Sequence, residues 1–121
     1  MEETIEIKKQ LQQFHGTGNY HKHSLANGIS ILLTDGASFI REKGNCFWLF
    51  DFIVAYQTHK QIREQIFQVW KLQKENSSWK ISCEDGNKNI IYSRKIEFSD
   101  FPLDEISIWF VDGVAMLPSE Y

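Results

Sequence analysis

The residue best placed to do chemistry is Asp51. It is the one charged side chain in CFWLFDFIVAYQ, residues 46–57, a stretch otherwise almost wholly apolar. A carboxylate buried without a partner is costly, so it must be paired, neutral or turned towards a pocket. A pocket would make Asp51 a general acid/base or a ligand-binding carboxylate. Pairing would make it the structural partner of an Arg, a His or a backbone N–H. The second group is the run Tyr20-His21-Lys22-His23. In an extended segment His21 and His23 point the same way. Two imidazoles so placed, completed by Asp51, would begin a zinc site, but such a site needs three or four ligands. Neither HExxH nor CxxC accompanies them. The sequence therefore predicts no metal and no cofactor, with His21 and His23 as the weak metal candidates. Tyr20, His23, Asp35 and Asp51 form the candidate ligand-binding set. In it a His23–Asp51 pair would work beside a positioning Tyr20.

Other groups read more simply. Asp85-Gly86 and Asp112-Gly113 are turn signals, and Asp35 is a helix N-cap candidate. Cys46 and Cys83 are distant and lie in apolar or strand-like contexts, so they read as free buried thiols. Their flanks carry nothing that would activate a Cys/His dyad with His21 or His23. GTGNY, residues 16–20, lacks the lysine and the strand-to-helix setting of a phosphate loop, and no GxSxG elbow occurs.

The elements that must position these residues can be read from periodicity. Ile7, Leu11 and Phe14 make one stripe of an amphipathic helix near residues 3–14, with Glu2 and Glu3 favoured by its dipole. Residues 15–27 read as a loop, followed by a short extended ISILL. A short helix follows Asp35 and ends at Gly44, read as a left-handed C-terminal residue, with Asn45 capping the next. That next helix, 46–57, is apolar all round and reads as the central core helix. From Gln65 the pattern turns to strands. A bulge is expected where Phe67 and Val69 give way to Trp70 and Leu72. Trp79, Ile81 and Cys83 alternate cleanly, Ile90, Tyr92, Arg94 and Ile96 share a face, and so do Ile106, Ile108 and Phe110. Trp109 has the opposite parity. It falls with Val111 on the exposed sheet face, which makes both interface candidates. The expected fold is α+β: N-terminal helices packed on one face of a C-terminal antiparallel β-meander of about four to five strands, the whole of residues 1–121 forming a single domain.

Composition limits the function classes. The 121 residues are 42% hydrophobic and 24% charged, with a net charge of −3. No apolar run reaches the ~20 residues of a membrane helix. Nucleic-acid binding would need a continuous basic groove through Lys60, Arg63, Arg94 and Lys95, which the dispersed cations do not suggest. The start, MEETIEIKKQ, lacks the pattern of a secretory signal, which points to the cytoplasm.

Several strings carry a family resemblance: FHGTGNYHKH (14–23), LTDG (33–36), FWLFD (47–51), QVWKL (68–72), CEDGN (83–87), FPLDEISIWF (101–110) and LPSEY (117–121). Together they resemble an uncharacterised family of small bacterial proteins, some borne by phages and other mobile elements. Tyr20 and His23 match its aromatic–histidine pair, and Asp51 matches its WLxD carboxylate. No catalytic role, cofactor or activity comes with the resemblance. The resulting expectation is a small non-enzymatic interaction protein, a phage or mobile-element accessory that engages a host protein, with a homodimer as a further possibility. The alternative is a ligand binder or enzyme using the His–Asp pocket.

Overall fold

The computed structural model describes residues 2–121, without the side chains of residues 2 and 3, so the dipole reading of Glu2 and Glu3 lies outside what is described. In chain order the elements are α1 (Glu2–Leu11), β1 (His21–Ser24), β2 (Ser30–Leu33), α2 (Asp35–Lys43), α3 (Phe47–Tyr56), α4 (Lys60–Arg63), β3 (Phe67–Glu75), β4 (Ser78–Asp85), β5 (Ile90–Ile96), β6 (Glu105–Val111) and β7 (Val114–Met116). A single 3-10 turn over Pro118–Glu120 closes the chain. No described helix is long and apolar enough to cross a membrane.

The fold is α+β, but its sheet is larger and more mixed than the sequence pattern suggests. Seven strands run in the order β1-β2-β7-β6-β3-β4-β5. From β7 through β6, β3 and β4 to β5 each neighbouring pair is antiparallel, and β2 adds to them parallel to β7. The run from β3 to β5 is a meander; the chain then crosses back to lay β6 on the other side of β3. That crossing is held by Phe101 and Leu103, both buried, with Phe101 edge-on to Trp79. Gly44 is needed here for space. A Cβ would lie 2.6 Å from the Phe101 ring and 2.7 Å from the Ile40 carbonyl. Its φ of −83° is ordinary, and the left-handed residue is instead Asn45 at φ 50°.

The expected bulge is displaced. β3 is regular, because its inward positions are Gln68, Trp70 and Leu72, while Phe67 and Val69 face outward. The register break lies between β4 and β5, where Cys83 pairs with Tyr92 and Glu84 with Ile90. The extra residue, Ile91, turns Ile90 to the face opposite Tyr92.

One polar group sits deep in this core. Gln68 is 2% exposed and all four of its hydrogen-bonding positions are used. Its Oε1 accepts from Gln57 Nε2 (2.8 Å) and from Trp70 Nε1 (2.9 Å). Its Nε2 donates to Gln57 Oε1 and to the Ile62 carbonyl, both at 2.9 Å. This amide pair joins the end of α3 and the turn of α4 to β3.

The motif strings near residue 35 and at the C-terminus prove to be one joint. Thr34, not Asp35, is the N-cap of α2; its Oγ1 accepts from Ala37 N–H. The same hydroxyl donates to Glu120 Oε1 at 2.6 Å. Gly36 N–H donates to Glu120 Oε2 at 2.9 Å, and Leu117 N–H donates to Oε1 at 3.0 Å. The carboxylate thus lies at the positive end of α2. A side chain at Gly36 would collide with Leu117, 2.6 Å away, and with Glu120 itself.

Glu120→Ala leaves three donors without this acceptor. It should lower stability by about 2–4 kcal/mol, read by urea denaturation. A loss within about 0.5 kcal/mol, the range of ordinary surface substitutions, would show the joint to be dispensable.

Candidate functional site

His21 and His23 lie on β1, paired with Leu33 and Ile31 of β2, so both face the helices. The segment read as loop is a strand here because β2 supplies its backbone partners, not because HKHS has strand character. The two rings share a face but not a ligand set. Each meets its own carboxylate, and among the described residues no group of three His, Cys, Asp or Glu is placed to hold a metal ion.

His21 belongs to the first pair. Its Nε2 lies 2.8 Å from Asp35 Oδ1. Asp35 Oδ2 accepts from Gly18 N–H at 3.0 Å, and the Asp35 N–H donates to Thr17 Oγ1 at 2.9 Å. Asp35 is therefore the first residue of α2 and the anchor of the 17–18 loop, a different role from the capping expected of it. The His21 hydrogen bond, then the Gly18 N–H, hold its carboxyl below the usual carboxylate value. Hydrogen bonds to the charged form favour that form.

His23 belongs to the second pair and is sealed. It is 6% exposed, whereas Asp51 is 52% exposed. Nε2 lies 2.7 Å from Asp51 Oδ1, and Nδ1 lies 2.9 Å from Arg41 Nη1. A guanidinium only donates, so Nδ1 must be the acceptor lone pair. The ring is then neutral, with its proton on Nε2 and donated to Asp51. Phe50 at 6.0 Å and Phe47 at 6.3 Å flank the ring. Arg41 also lies over Phe47, 4.9 Å from the ring centre. Both ring nitrogens are occupied by the protein, so His23 has no free nitrogen to offer a substrate. It fixes Asp51 without cancelling its charge. Asp51 Oδ2 has no partner among the described residues and faces solvent.

Tyr20 stands exposed beside β1. Five surface clefts of 340 to 590 Å3 are lined by other residues; none includes Tyr20, His21, His23, Asp35 or Asp51. The structure joins His23 to Asp51 and His21 to Asp35 as two separate pairs.

The unexpected feature is α3. Four of its ten residues are buried: Leu49, Phe50, Ile53 and Val54 face the core. Phe47 and Asp51 are exposed, and Trp48, Phe52, Ala55 and Tyr56 are half-buried. The outward side of this helix is thus apolar with one carboxylate in its middle. Sequence reasoning missed it because a helix apolar all round predicts complete burial. The signal was Asp51 itself, which marks the side that faces water.

The interface candidates of the sheet lie on the face away from the helices. Trp109 and Val111 are half-buried there. Trp109, Phe67 and Tyr121 form an edge-to-face trio with ring centres 5.0 to 5.5 Å apart. Trp109 is therefore partly covered by the C-terminal residue. Of the cations named for a nucleic-acid groove, Arg94 lies over Phe52 on the helix face, while its neighbour Lys95 takes the opposite face of β5. Lys60 pairs with Glu64 and Lys95 with Glu97. Both thiols are fully buried, and burial pushes each up to about 12.

Two outcomes are expected. Because folding lowers the Asp35 carboxyl below its ordinary 3.8, its contribution to stability is complete above that value. It is lost as pH falls through the lower folded value. Asp35→Asn should flatten the acid limb of a stability-against-pH curve, and an unchanged limb would remove the assignment. At neutral pH, long-range nitrogen–proton spectra of the histidines should show His23 protonated on Nε2 alone; a proton on Nδ1 would contradict the Arg41 contact.

A family model described as "Family of unknown function (DUF6876)" matches residues 5–121. No curated protein and no solved structure matches the chain.

Proposed function

We propose that this chain, which belongs to the DUF6876 family of unknown function, is a protein-interaction module that docks its partner on the outward face of α3. One observation carries the reading. Phe47, Trp48, Asp51 and Phe52 form an apolar helix side with a single carboxylate, left partly exposed and flanked only by the side chains of Arg41 and Arg94 among the described residues. An uncovered helix side of a soluble domain is ordinarily polar, and exposed apolar patches mark contact sites. Large aromatic side chains are also the usual anchors of such contacts. The sealed His23, with both nitrogens engaged, favours this reading over a ligand-binding or catalytic use of Tyr20, His23 and Asp51. The proposed partner is a protein, in keeping with the role of an accessory that engages a host component.

A second reading rests on the opposite side of the sheet. There one end of the outward face of β3, β6 and β7 carries Phe67, Val69, Trp109, Val111, Val114 and Met116, while Lys71, Gln73, Glu105 and Ser107 make the other end polar, as an open sheet face normally is. Phe67 and Trp109 already pack on each other and under Tyr121, which makes this strip the weaker docking surface.

Quantitative affinity capture separates the two. A protein retained by the wild type should be lost with Phe47→Ser, with circular dichroism showing the variant folded at the assay temperature. It should be retained with Trp109→Ala. Loss with Trp109→Ala and retention with Phe47→Ser would move the site to the sheet. Insensitivity to both would overturn the module on either face.

A further inference from the structure

Resting on the docking reading of α3, we infer that the partner's anchor is a cationic side chain, a lysine or arginine flanked by apolar residues, bound at Asp51. The geometry supplies the argument. Asp51 sits near the middle of the outward face, between Phe47 and Phe52. Its Oδ1 is committed to His23 and its Oδ2 is open. Among the described residues it has no cation as a salt-bridge partner; its one charge-type contact is with the His23 ring. That ring is neutral by its contact with Arg41, so the carboxylate keeps its full charge while its orientation is fixed. A group oriented before binding loses less freedom when the partner arrives.

The surroundings narrow the occupant. Trp48, half-buried on the same side of α3, offers an aromatic surface to the methylene stem and charged head of a long cationic side chain. Phe47 and Phe52 show the same chemistry with the chain's own Arg41 and Arg94. A nucleic acid would bring phosphate to a carboxylate. A second copy, packed α3 to α3 across a two-fold axis at the centre of this face, would bring Asp51 to Asp51. Like charges so placed oppose association. A basic residue within an apolar helix or loop satisfies both the charge and the aromatic rim.

The test uses the whole protein and four immobilised amphipathic peptides. These are leucine-rich helices alike in all but the central residue: arginine, lysine, glutamine or glutamate. The wild type should bind the arginine and lysine peptides about tenfold more tightly than the glutamine peptide, the scale of one charge-assisted hydrogen bond. It should bind the glutamate peptide least. Asp51→Asn keeps the shape and an acceptor for His23, and should abolish the preference while leaving binding to the glutamine peptide unchanged. Trp48→Ala should weaken all four equally. Equal binding of all four peptides by the wild type would overturn the cationic anchor and leave the docking face standing. A preference that survives Asp51→Asn would also overturn it. Binding of none would remove the docking face and the anchor together.

Discussion

Everything in this molecule is arranged around the seating of α3. The helix touches β1 at one edge of the sheet through Asp51 and His23. It touches β5 at the other edge, where Tyr56 donates to Tyr92 at 2.8 Å and Arg94 covers Phe52. Leu49, Phe50, Ile53 and Val54 share one core with Trp70, Leu72, Ile81 and Ile108. The opposite side of the helix is left partly exposed. One constraint, burying one side of an almost wholly apolar helix, thus shapes the core and leaves the exposed patch.

The polar groups serve that seating. Gln57 and Gln68 hold the end of α3 to β3 through a satisfied amide pair, and a buried network with every position used rigidifies what it joins. The two histidines of β1 do parallel work on different helices. His21 ties the strand to the start of α2 through Asp35, and His23 ties it to α3 through Asp51. The carboxylates differ in surroundings. Asp35 is ringed by donors from its own chain, whereas Asp51 keeps one oxygen in water. Equal chemistry in the sequence becomes a structural anchor in one place and an available charge in the other.

Much of the local structure was legible in the residues. The pairing of Ile7 with Leu11 on α1, the alternation of Trp79, Ile81 and Cys83, and the Asp112-Gly113 turn, with φ of 52° and 78°, each follow from short-range pattern, whereas the helix ends at Leu11 and Phe14 meets the core from beyond it. The shared direction of His21 and His23 follows from strand geometry in the same way. What failed were inferences that needed a partner. HKHS does not read as a strand, because its pairing comes from β2 alone. Gln68 does not read as a core residue, because its burial depends on Gln57, Trp70 and the Ile62 carbonyl. The apolar Phe67 and Val69 suggest a bulge in β3 by their parity, but the polar Gln68 holds the inward face.

The sequence by itself determined the α+β class, most helix and turn positions and the short list of residues able to do chemistry. Propensity and periodicity act over a few neighbours, and a single chain displays them. Only the tertiary structure decided that β1 and β2 join the sheet, that β6 crosses back beside β3, and that Asp51 faces water while His23 does not. These depend on which distant surfaces meet, as when Glu120 reaches Thr34 and Gly36 across more than eighty residues. Such contacts are settled by the joint burial of apolar area and the pairing of every buried polar group, and no local window of sequence contains both sides of them.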